Sequence, residues 1–175
     1  MEVRLIENKE LLESVELFKI ENLLWGTEKI AKTYGYIGFV QGEGLYIKLV
    51  CEEKDPLRVY KEDQDPVYKD SAMEAFFQFK LKEMIRQQMI FMNANGALLA
   101  CYGKNKMNRI PFTPDQIRKM KCSAEIREEQ WNVNLTLPIE ILEQVYGKLN
   151  LQEGSDFRCN FYKICETKEY EHYAA

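Results

Sequence analysis

Asp70 and Glu74 are the carboxylates whose spacing could do chemistry. Paired carboxylates hydrolyse glycosidic bonds when they stand roughly 5 to 9.5 Å apart. Four residues of extended strand separate two Cα atoms by about 13 Å, so this pair would work together only across a bend. Other reactive side chains are scarce. His172 is the single histidine, which excludes a histidine-based metal centre, because such a centre needs two or three imidazoles. A Ser-His-Asp or Cys-His arrangement would have to be built on that one residue near the end of the sequence. The five cysteines, Cys51, Cys101, Cys122, Cys159 and Cys165, are odd in number and contain no C-x-x-C pair. They read as reduced, partly buried thiols that pack as small hydrophobes. Gly42-Glu43-Gly44 lacks the third glycine and the following helix that a dinucleotide site requires.

The elements that would position these groups have a period of two. Thr33 to Gln41 alternates, with Tyr34, Tyr36 and Val40 on one face and Ile37 and Phe39 on the other. A turn at Gln41 to Gly44 leads into a second run, with Leu45, Ile47, Leu49 and Cys51 inward and Tyr46, Lys48, Val50 and Glu52 outward. A charged loop is expected from Asp55-Pro56 to about Asp70. The next run puts Ala75, Phe77, Phe79 and Leu81 on one face and Glu74, Phe76, Gln78 and Lys80 on the other. Gln87 to Asn93 and Ala97 to Tyr102 flank an Asn95-Gly96 turn. Thr113-Pro114-Asp115-Gln116 predicts a capping box and a short helix ending near Met120. Pro138 opens a second helix, Ile139 to Tyr146, with Ile139, Leu142 and Tyr146 on one face and Gly147 as its stop. Between the helices, Cys122, Ala124 and Ile126 pair as a hairpin with Trp131, Val133, Leu135 and Leu137. The last long strand, Phe157 to Cys165, turns Phe157, Cys159 and Phe161 inward and Arg158, Asn160 and Tyr162 outward. Lys163 is expected on the exposed side, and Trp25 and Trp131 are expected in the core.

Many short strands with one or two short helices predict an all-β fold, an antiparallel β-sandwich of jelly-roll type. A lipocalin-like barrel is the rival architecture, and the two mid-chain helices argue against its uninterrupted meander. The 175 residues read as a single domain, 1–175, with 46% hydrophobic and 30% charged residues and no internal break. Net charge is 24 − 28 = −4, a poor match to nucleic acid, whose phosphates demand a basic field. No apolar run approaches the ~18 residues of a membrane span. Met1 to Glu10 has no signal-peptide profile, and the thiols suit a reducing compartment, so a cytoplasmic location is expected. A secreted or cell-surface location follows instead if the chain is a fragment. Oligomeric state has no sequence signature here.

The order of motifs resembles a known family. Asp65-Pro66-Val67-Tyr68-Lys69-Asp70-Ser71-Ala72-Met73-Glu74-Ala75-Phe76-Phe77 is similar to the D-S-x-V-E-x-F signature of family 9 carbohydrate-binding modules and their stand-alone relatives. Phe91 to Leu99 resembles the family's N-x-x-G strand-turn-strand, and Asn108 to Thr113 its arginine segment. Trp131, Pro138 and Ile139 resemble its hairpin-then-helix, and Arg158 to Lys163 with His172-Tyr173 its last strands. The resemblance runs from about Trp25 to the end and implies a non-catalytic β-sandwich that binds an oligosaccharide or polysaccharide of glucan or xylan type.

It also implies site residues. In the family, sugar units sit between two tryptophans while polar groups bind the hydroxyls. Glu74 matches the family's glutamate, Tyr68 falls where one of the tryptophans stands, Asn93 matches a site asparagine, and Asn160 falls near a site amide. Arg109 either lines the site or ties down a loop, and Tyr162 lies beside Asn160 on the same face. The second tryptophan has no counterpart in the segment after His172-Tyr173. Structural calcium occurs in some family members, but no D-x-D-x-D-G loop is present. The chemistry is coherent: flat aromatic faces meet the C–H side of a pyranose, and planar amides, carboxylates and guanidinium groups take adjacent hydroxyls. Two other readings stay open: a protein-interaction or apolar-ligand module on the same strands, and the carboxylate-based glycoside hydrolase.

Overall fold

Alternation separates inside from outside along most of the central strands. Leu45, Ile47, Leu49 and Cys51 are each no more than 1% exposed, while Tyr46 and Lys48 between them are half-buried. The computed structural model describes residues 2–25, 27–28, 30–81, 84–105, 107–166 and 171–175, with backbone alone for residues 80, 81, 84, 85 and 171. The faces expected of Lys80 and Leu81 therefore lie outside the described side chains.

In chain order the described strands begin with β1 (Arg4–Ile6), β2 (Phe18–Lys19), β3 (Asn22–Leu23), β4 (Thr33–Val40), β5 (Gly44–Cys51), β6 (Ala72–Leu81) and β7 (Met84–Ile85). They continue with β8 (Gln87–Asn93), β9 (Leu98–Gly103), β10 (Arg109–Pro111), β11 (Ser123–Ile126), β12 (Trp131–Pro138), β13 (Phe157–Cys165) and β14 (Glu171–Ala174). One sheet has the order β1-β4-β5-β12-β11, with β2 also on β4. The other runs β10-β9-β8-β6-β13-β14-β3, with β7 also on β6. All described pairings are antiparallel except β1 with β4. The two sheets form a β-sandwich.

The core is what the two inner faces share. Ile47, Leu49, Trp131 and Val133 from one sheet meet Met73, Phe77, Ile90 and Phe161 from the other, all at or below 2% exposure. Two helices close the sandwich, α1 (Pro114–Lys119) and α2 (Ile139–Tyr146). The capping box of α1 is present: Gln116 N donates to Thr113 Oγ1 and Thr113 N donates to Gln116 Oε1. In α2 the buried face is Ile141, Leu142, Val145 and Tyr146, and Ile139 is only half-buried. Ile139 is the first helical residue, its N–H donating to Glu43 O; Leu142 and Tyr146 are buried as expected, and Ile141 and Val145 complete the packed face in place of Ile139.

Lys163 is not on the exposed side. It is fully buried, because it follows Phe161 on the inward face of β13. Its ammonium faces Glu53 Oε2 at 3.5 Å. The Glu53 carboxylate also accepts from Ser71 Oγ at 2.9 Å and from Trp131 Nε1 at 3.1 Å. Trp131 is fully buried, as its alternation predicts, but Trp25 is 72% exposed. Trp25 does not continue a strand: it follows the short edge strand β3 in a turn with φ +48°.

Candidate functional site

The outward face of the eight-stranded sheet carries the polar and aromatic residues that alternation left over from the core. Cross-strand partners point to the same side, so the register defines rows. Tyr162 of β13 pairs with Glu74 of β6, Glu74 with Phe91 of β8, and Phe91 with Leu99 of β9. In the next row Asn160 pairs with Phe76, Phe76 with Met89, and Met89 with Cys101. Glu74, Phe76, Phe91, Asn160 and Tyr162 are all half-buried, which leaves part of each side chain open to solvent.

Tyr68 lies over this face. It belongs to a 3-10 turn, Val67–Lys69, set between Pro66 and β6. Its carbonyl accepts from Glu166 N at 3.1 Å, which fastens the turn to the end of β13. Its ring meets Phe91 edge-on, with centroids 6.0 Å apart at 64°. Asn160 is oriented by two contacts. Its Oδ1 accepts from Phe161 N at 2.9 Å and its Nδ2 donates to the Tyr162 hydroxyl at 3.1 Å. The structure therefore brings Tyr68, Glu74, Asn160 and Tyr162 onto one surface.

Arg109 is exposed on β10, the edge strand of the same sheet, opposite Gly103. β10 lies three strand positions from Glu74 on β6. The two charges share a neighbour in Cys101. Burial pushes that thiol above its ordinary range, the Arg109 guanidinium pulls it down and the Glu74 carboxylate pushes it up. Arg109 thus belongs to the rim of the face. Elsewhere burial raises Cys51 to about 11 and Cys122 to about 12, so both thiols stay protonated at neutral pH and are poor nucleophiles.

Asn93 has a different job. It is fully buried, and all its hydrogen-bonding capacity goes to the protein. Its Nδ2 donates to Tyr60 O and to Asp70 Oδ2, both at 2.8 Å, and its Oδ1 accepts from Asn95 N and Ala97 N, both at 3.1 Å. The charged loop folds over this end of β8, and Asn93 is the peg that holds it down. An amide with no exposed atom cannot meet a ligand, which corrects the expectation for this residue. Asn93→Ala is expected to cost about 2–3 kcal/mol of stability, since it removes a charge-assisted bond and several neutral ones. A urea unfolding midpoint checks this, and an unchanged midpoint would contradict the assignment. Asn95 serves the same turn, donating to Arg58 O and Tyr60 O.

Asp70 is equally committed. Only 1% exposed, it accepts from Val59 N, Tyr60 N and Asn93 Nδ2. The carboxylate pair that opened the question of hydrolysis is thus split: Asp70 anchors a loop, and Glu74 faces outward. Among the described residues no group of three or more His, Cys, Asp or Glu side chains could hold a metal ion. No helix of the described residues is long and apolar enough to cross a membrane.

Two residues of this face were not legible beforehand. Phe91 sits in the run Gln87 to Asn93, where Met89, Ile90, Phe91 and Met92 are all apolar, so alternation could not say which side faces out. Trp25 was expected in the core from the apolar residues around it, but it follows a strand of only two residues and is exposed. It stands against His172 of β14, ring centroids 5.2 Å apart at 66°.

A two-sheet sandwich with a solvent-facing surface of aromatic rings, a carboxylate and an amide has the form of a ligand-binding module. The sequence matches the profile of carbohydrate-binding family 9 over residues 7–175, and the chain belongs to that family. No curated protein matches it. Among solved structures, that of a Bacteroides uniformis protein to which carbohydrate binding is ascribed superimposes with a TM-score of 0.81. It covers 98% of this chain and 87% of that one at 16% identity. That likeness concerns the fold.

Proposed function

We propose that this protein binds an oligosaccharide, of glucan or xylan type, on the outward face of its eight-stranded sheet, and that it does so without catalysis. The observation that carries the reading is the row Tyr162–Glu74–Phe91 with the Tyr68 ring edge-on to Phe91 at one end. Tyr68 supplies a flat apolar face for the C–H side of a pyranose. Glu74 accepts from adjacent hydroxyls, which is a charge-assisted and therefore stronger bond. The Asn160 amide and the Tyr162 hydroxyl, already bonded to each other, offer a further donor and acceptor. Arg109, at the rim, meets only a ligand that extends toward β10. No calcium-dependent step is part of this reading, and the cytoplasm remains the proposed location.

Titration calorimetry with glucose, cellobiose, cellotriose and the matching xylo-oligosaccharides tests the proposal, with a glycan array to widen the range. Heat of binding for one series is expected. Absence of binding to every glycan overturns the reading in favour of a protein-interaction module. Release of reducing sugar from a bound glycan would overturn its non-catalytic part.

A further inference from the structure

The outward face of the sheet has an aromatic at each side. Tyr68 covers β8, through Phe91. Trp25 covers β14, through His172. His172 pairs with Ile164, and Ile164 with Ala72 of β6, so it points outward with Tyr162, its diagonal neighbour across β13 and β14. The indole is therefore on the same side of the sheet as Glu74 and Tyr162.

Its placement is held by the protein. Thr27 N donates to Leu24 O at 3.1 Å and closes the turn that contains Trp25. The buried Thr27 hydroxyl donates to His172 O at 3.0 Å and accepts from His172 N at 2.9 Å. Leu24 N donates to the same carbonyl at 2.9 Å. These bonds clip the turn to β14. The result is unusual in two respects at once. Trp25 has a left-handed backbone, φ +48°, which bulky residues rarely adopt, and its indole is 72% exposed. A stability role accounts for neither, because an exposed ring contributes little burial and a glycine would relieve the backbone. Conformational outliers of this kind cluster where a ligand is held.

We infer that Trp25 is a second aromatic contact for the ligand, and that the site takes a chain of two or three sugar units rather than one. This rests on the function proposed above. From β8 to β14 there are three strand steps, roughly 14 Å in all. That span exceeds a single pyranose and suits a short oligosaccharide lying across β6 and β13. One end stacks near Tyr68, the middle meets Glu74 and Tyr162, and the other end covers the indole.

The chain has two tryptophans, and Trp131 is fully buried, so acrylamide quenching of intrinsic fluorescence reads Trp25. Saturation with cellotriose or xylotriose, whichever binds, is expected to lower the quenching constant severalfold, while the monosaccharide leaves it unchanged. Trp25→Ala should remove the gain in affinity between mono- and trisaccharide, about tenfold, with Trp25→Phe intermediate. Equal trisaccharide affinity in wild type and Trp25→Ala, or quenching unaffected by the trisaccharide, overturns the inference and leaves the proposed function standing. If the wild type gives no heat with any sugar, the function fails first and the inference falls with it. Unchanged melting of Trp25→Ala separates lost contact from lost fold.

Discussion

Glu74→Ala lowers sugar affinity by about 10- to 100-fold while the domain stays folded. The magnitude follows from the bond it removes. A hydrogen bond to a charged acceptor is worth about 1.5–3 kcal/mol, and each 1.4 kcal/mol is about a factor of ten in affinity. The fold survives because the neighbours of Glu74 in the chain, Met73 and Ala75, carry the packing; both are fully buried on the inner face. Glu74→Gln keeps one acceptor oxygen and loses the charge, so its loss should be intermediate, about tenfold. Calorimetry on the two variants, with thermal melting as the control on folding, measures the effect. Wild-type affinity in Glu74→Ala would move the site off this face. The comparison with Asn93→Ala is informative, because the two residues exchange roles: the first change should be felt in binding and the second in stability.

That exchange shows what the sequence could and could not convey. Both residues were implied by the same ordered motifs, and the motifs do not distinguish a side chain that touches ligand from one that shapes the loop beside it. The difference arises from the fold of residues 55–70, which lays Tyr60 and Asp70 over Asn93. The strands were legible where one face is apolar and the other polar. β5, β8, β12 and β13 have the expected extents to within a residue. Legibility ended where both faces are apolar, as around Phe91, and where strands are too short to show a period. β3 has two residues and β14 four, yet these two form the edge that carries His172 and positions Trp25. Lys163 departs from its expected exposure for another reason. Its charge outweighed its place in the alternation, although Phe157, Cys159 and Phe161 already put every second residue of β13 inward. Only a partner from a distant segment makes that burial tolerable, and Glu53 lies 110 residues earlier in the chain.

Lys163→Met should cost about 3–5 kcal/mol of stability, the usual effect of removing one member of a buried ion pair. The methionine fills most of the volume, so the loss is electrostatic: the Glu53 carboxylate stays buried with Ser71 and Trp131 as its hydrogen-bond donors and without the ammonium. For a domain of this size the fall in melting temperature is about 10 °C. Glu53→Gln alone takes the carboxylate charge away from the buried lysine and should be comparably harmful. The double variant Glu53→Gln/Lys163→Met removes both charges and should recover most of the loss, because the pair itself contributes little net stability once desolvation is counted. A double-mutant cycle by urea denaturation reads this directly, and additive losses would show that the two charges do not act as a pair. The network also joins the sheets behind the proposed site. Glu53 and Trp131 belong to the end of the first sheet, while Ser71 and Lys163 belong to the second. Lys163 pairs with Met73 in the row next to Tyr162–Glu74. Through Glu53 the network ties Lys163 of β13 to Ser71 at the start of β6, beneath the residues that would hold the sugar. If that tie is what the buried charges secure, the double variant regains stability but binds sugar more weakly than the wild type. Full recovery of both would reduce the pair to a replaceable part of the core.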